Sequence, residues 1–154
     1  MAKRFTLDPQ RMAVLEAALW RAYYDRNITS GLILMVRLSR EQFKLSWTDS
    51  LRGAYHILHA TIAWAPPRNR PEEAHRYLRR FYTLVARERG LAFAPDHVAS
   101  LELRYRQLHR DLVGVPDKLP LVEALAELHA AIFHRSTEEM LPSATYRARA
   151  PPRS

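Results

Sequence analysis

Imidazole is the strongest transition-metal ligand this chain can offer, because its 154 residues include seven histidines and no cysteine. His56 and His59 stand three apart, a spacing that on a helix turns both rings to one side and lets them grip one metal ion or a haem iron. His129 is in register with Val122, Leu125 and Ile132 and is expected to point inward; His109 lies beside Leu108. If these four converge, the chain binds haem or a divalent metal, whereas each taken singly is a hydrogen-bonded imidazole with a structural role. Glu72 and His75 form ExxH, half of the pattern that di-iron bundles use twice, and no second ExxH occurs. Missing cysteine also removes thiol catalysis, disulfides and iron–sulfur clusters.

Arginine is the second chemistry on offer. The 24 basic side chains outnumber 16 acidic ones for a net charge of +8, and all but Lys3, Lys44 and Lys118 are arginine. Arg76, Arg80 and Arg87 share one face of a helix predicted over 70–89, and Arg106 and Arg110 follow on the next, a footprint suited to nucleic acid or another polyanion. The competing reading is a solvated face laced by i,i+4 pairs such as Glu102 with Arg106. No helix-turn-helix is evident, since the connections at 27–31 and 113–119 lead into a very apolar helix and an acidic one, neither suited to reading bases.

Other classes are excluded. Four scattered glycines, Gly31, Gly53, Gly90 and Gly114, cannot build a phosphate-cradling loop, and there is no Walker A, GxGxxG or GxSxG pattern. The basic start meets Asp8 and Pro9 where a signal peptide needs an apolar stretch, and the longest apolar run, 32–36, falls far short of the roughly 20 residues that cross a bilayer. The expectation is a cytoplasmic protein without membrane insertion. Glu16, Asp25, Glu41 and Asp49 could serve acid–base catalysis with the histidines, yet no spacing nominates a pair.

The elements that must position these residues are helices. Asp8-Pro9 opens one that runs to about Arg26, with Met12, Leu15, Leu19, Ala22 and Tyr23 on one face. A second follows a Ser30 cap, where a strand over 32–36 is the alternative, but no partner strand is offered elsewhere. Ser46 caps a third to Ala65, closed by Pro66-Pro67. The fourth ends at Gly90 in a Schellman stop, the fifth runs from Pro95 to near Gly114, and the sixth starts at Leu119-Pro120. Ser136 caps one more short turn. From Pro142 the periodicity ends, so 142–154 reads as a flexible basic tail behind a bundle domain of residues 1–141. The fold class is therefore all-α, a single-domain bundle of about six helices.

The second helix is apolar nearly all round, and the N-terminal half is rich in aromatic residues, which suits a core, an interface between copies, or a pocket between helices. Leu34, Trp47 and Trp64 are the candidate interface or pocket residues. The expected function is a non-enzymatic interaction or regulatory module that binds a protein partner or itself, with polyanion binding and a haem or metal site as the alternatives.

Overall fold

The computed structural model describes residues 9–149. They form seven α-helices: α1 (Pro9–Tyr24), α2 (Ile28–Phe43), α3 (Trp47–Trp64), α4 (Pro71–Arg89), α5 (Pro95–Asp111), α6 (Leu119–Phe133) and α7 (Thr137–Arg149). Local chemistry accounts for most boundaries. The Ser46 hydroxyl accepts the Asp49 N–H at 3.1 Å and starts α3, and Gly90 in the left-handed region stops α4 with a Leu91 N–H to Ala86 carbonyl bond of 3.0 Å. Pro71 and Pro95 open α4 and α5, where a missing N–H costs nothing.

Residues 32–36 are helical, not a strand, and α2 begins earlier than Ser30. Asn27 is the cap, its side-chain oxygen accepting the Ser30 N–H at 3.1 Å. The larger correction concerns the expected tail. From Pro142 to Arg149 the chain belongs to α7, and of the expected tail only 150–154 lie outside the described residues. Pro142 removes one hydrogen bond from this helix. Burial of Met140 and Ala144 in the main core offsets that loss. No helix among the described residues is long and apolar enough to cross a membrane.

Each helix packs on its neighbours in the chain, and α7 returns to pack on α1, so the extensive contacts close into a ring. The main core joins Phe43 and Leu45 to Phe81, Tyr82 and Val85 of α4, Val98 and Tyr105 of α5, and the apolar face of α6. Small residues bring α3 close to α4, where Ala60, Ala63 and Ala74 are fully buried, and Ala99 of α5 joins the Ala60 cluster. Gly53 belongs to the same contact, since a Cβ there would stand 3.0 Å from the Phe81 ring. A closed ring of helices brings one stripe of each to a common centre, and that is where the chain's buried charges meet.

Candidate ligand site at the bundle centre

On α1, Met12, Glu16 and Trp20 follow at i,i+4 spacing, which carries a carboxylate inward on the apolar stripe. On α5, Glu102 stands one turn after the buried Val98 and one turn before Tyr105 and Arg106, and so also faces in. Arg147 arrives from α7, one turn beyond the buried Ala144. Helix geometry therefore places two glutamates and two arginines inside. Leaving such charges without partners would cost several kcal/mol each, and the structure gives every one a partner.

The two carboxylates are engaged in parallel ways. Glu16 accepts the Tyr105 hydroxyl at 2.7 Å and the Arg147 Nε at 2.6 Å, and a second guanidinium nitrogen of Arg147 closes on the same carboxylate. Glu102 accepts the Tyr82 hydroxyl at 2.9 Å and the Arg106 Nε at 3.1 Å. Arg106 also donates to the Thr61 hydroxyl at 3.2 Å. Arg147 makes one further bond, to His129 Nε2 at 2.7 Å. Because a guanidinium only donates, Nε2 is the acceptor and the ring proton sits on Nδ1, a buried atom without a hydrogen-bond partner.

Burial fixes the protonation states. It holds both tyrosine hydroxyls well above their usual pKa, with the neighbouring carboxylates pushing the same way, so Tyr82 and Tyr105 remain donors. His129 is driven well below its ordinary value by burial and then by Arg147. His109, stacked on Trp20 at 3.6 Å between ring centroids, is lowered to about 4, chiefly by burial. Both imidazoles are neutral at pH 7.

These groups border a cavity of about 120 Å³ to which all seven helices contribute, with Met35, Ile57, Phe81, Leu125 and Leu128 as apolar wall and Ser39 and Gln42 of α2 as further polar lining. A wider groove of about 690 Å³, between the end of α1, the start of α2 and the end of α3, shares Leu19, Met35 and Thr61 with it.

The residues singled out from the sequence are dispersed. His56 and His59 are on the α3–α4 side, where His59 packs between Tyr55 at 4.4 Å and Tyr77 at 4.8 Å. Burial, Arg80 and His59 lower the His56 pKa. His129 lines the central cavity and His109 stacks on Trp20, and among the described residues no group of three or more histidine or carboxylate side chains is placed to hold a metal ion. His75 binds the Asp96 carbonyl at 3.2 Å and ties α4 to α5.

The five arginines do not share a face. Arg76, Arg80 and Arg87 are exposed on α4, but Arg106 is buried on Glu102, and Arg110 donates to the Trp64 carbonyl at 2.8 Å with its guanidinium over that ring. Of the interface candidates, Trp64 is buried and lines the cavity, Leu34 is half-buried, and Trp47 is exposed beneath the Arg40 guanidinium at 3.8 Å.

The grouping of Glu16 with Tyr105 and Arg147 is the part of the site that sequence reasoning missed, and two signals for it exist. An acid at i+4 from Met12 and i−4 from Trp20 sits on an apolar stripe, and Met140, Ala144 and Arg147 continue a helical period past Pro142. No protein-family model matches this chain, and no curated protein or solved structure matches it either.

Proposed function

We propose that the chain is a non-enzymatic, ligand-binding regulatory module that takes a small molecule into the centre of its helical ring. The observation that carries this reading is convergence: four charged groups, two tyrosines and a histidine drawn from five helices border one cavity. Ion pairs are a weak source of stability in a core, because apolar residues of equal volume serve as well or better. A pocket lined mainly by apolar side chains with a few placed polar groups is the usual form of a small-molecule site. Binding is favoured over catalysis because each carboxylate is already held by an arginine and a tyrosine.

The test uses thermal shift and the emission of Trp20 and Trp64, both in the cavity wall, against a library of small fragments. Compounds that raise the melting temperature and shift the emission are expected, and Leu125→Trp, which fills the cavity, should abolish both effects. Hits that survive this substitution in a folded variant, or no hits at all, would overturn the reading.

Self-association is a second reading, supported by the outer face of α3. Trp47, Leu51, Tyr55 and Ile62 are exposed on one stripe, with Leu58 half-buried beside them. The spacing 51, 55, 58, 62 is the same in both directions, as a two-fold antiparallel pairing with a second copy requires. Sedimentation should give a dimer that becomes a helical monomer in Leu51→Glu; a wild-type monomer at high micromolar concentration rejects it.

A further inference from the structure

Two side chains at the centre have no counterpart. Ser39 and Gln42, one turn apart on α2, are 5% and 7% exposed and line the cavity, yet neither hydrogen-bonds to any other described residue. A buried amide or hydroxyl left without a partner costs roughly 1–3 kcal/mol. Leucine at 42 and alanine at 39 would avoid that cost and keep the helical period. The charged groups on the wall are mutually satisfied, Glu16 by Arg147 and Tyr105 and Glu102 by Arg106 and Tyr82, while His129 keeps one unpartnered Nδ1–H. Their charges cancel, two against two.

These facts constrain an occupant. A charged ligand would enter with no free counter-charge and bear the desolvation penalty alone. A wholly apolar one would leave Ser39 and Gln42 unsatisfied. Volume sets a further limit: a cavity of roughly 150 Å³ accepts benzene, so about 120 Å³ caps the occupant at a single small ring. The wider groove shares Leu19, Met35 and Thr61 with the wall of this cavity.

Resting on the ligand-binding reading above, we infer that the natural ligand is uncharged, with a ring-sized apolar body and one hydroxyl- or amide-type group that hydrogen-bonds to Ser39 and Gln42. The amide offers both a donor and an acceptor and the hydroxyl can act as either, so the pair satisfies a phenolic or carboxamide group equally.

The experiment titrates the full chain with phenol, benzamide, toluene, benzoate and benzylammonium, following tryptophan emission and melting temperature. Phenol and benzamide should bind about tenfold more tightly than toluene, the worth of one or two net hydrogen bonds, and both charged probes more weakly than toluene. In Gln42→Leu the advantage of phenol over toluene should vanish while toluene still binds, and the ligand-free variant should melt no lower than wild type. Ser39→Ala should lower the advantage partially and serves as the second variant if Gln42→Leu does not fold. Toluene binding with phenol no tighter, benzoate or benzylammonium binding best, or a phenol preference unchanged in a folded Gln42→Leu or Ser39→Ala each overturns this inference and leaves the cavity reading standing. If no probe binds, toluene included, both fall.

Discussion

The two buried glutamate–arginine pairs look alike in chemistry and differ in construction. Glu102 and Arg106 are one turn apart on α5, so the pair forms within a single helix and is helped by the ordinary i,i+4 geometry. Glu16 and Arg147 lie 131 residues apart, on the two helices whose contact closes the ring, and theirs is the more deeply buried pair, with side chains only 10% and 5% exposed. The same two side-chain types thus secure a helix in one place and the register of the whole bundle in the other. Burial and chain separation, not charge, decide what an ion pair contributes.

Arg147→Met should separate the two most strongly. It leaves Glu16 buried with Tyr105 alone and should cost about 3–5 kcal/mol in chemical denaturation, whereas adding Glu16→Leu should recover most of the loss, since a buried pair replaced by apolar volume is often neutral. A double variant no more stable than Arg147→Met alone would deny the closing pair its role.

Acid should be the next largest effect, and it falls on the closing side. His109 stacks on Trp20 of α1 and His129 accepts from Arg147. Both have folded pKa values below the unfolded 6.5, so below pH 6.5 the unfolded chain binds more protons; the stability they confer is complete above 6.5 and lost as pH falls towards 4. For His109, whose value is lowered to about 4, the loss should reach about 3 kcal/mol. Denaturation midpoints measured between pH 7 and 4 should fall steeply in wild type and less in His109→Phe.

Arg106→Met, on the local pair, should cost less, about 1–3 kcal/mol, because Glu102 is the less buried carboxylate and keeps Tyr82. Equal losses for Arg106→Met and Arg147→Met would erase the distinction between the pairs. The finest test compares Tyr105→Phe with Tyr82→Phe. Each removes one hydroxyl donor to a carboxylate, worth about 1–2 kcal/mol, and the excess in Tyr105→Phe over Tyr82→Phe, read by thermal denaturation, reports how far the closing carboxylate depends on its neighbours.

Much of the fold was legible because helix signals are local. Ser46, Gly90 and Pro95 mark boundaries that the structure keeps, and stripes such as Ala74, Leu78, Phe81 and Val85 face inward. The site was harder to see because each member resembles an ordinary surface residue in its own segment. Glu102 and Arg106 read as a solvated pair, since spacing alone does not say which side of α5 other helices will cover. Arg147 was assigned to a tail because Pro142 carries a stop signal that tertiary burial overrides. Glu16 became meaningful only beside α5 and α7, contacts that no local window contains. His129 pointed inward as its register implied, but its partner came from a segment taken to be tail.

The cyclic order of the helices also has a consequence for the route by which the chain folds. Every extensively packed helix pair but one joins chain neighbours, so six helix hairpins can form over short loops whose closure entropy is small. The remaining contact, α1 on α7, encloses nearly the whole chain and becomes favourable only once the intervening helices are in place. Its formation therefore belongs on the late side of the folding barrier, and substitutions at Glu16 or Arg147 should accelerate unfolding while leaving the refolding rate nearly unchanged.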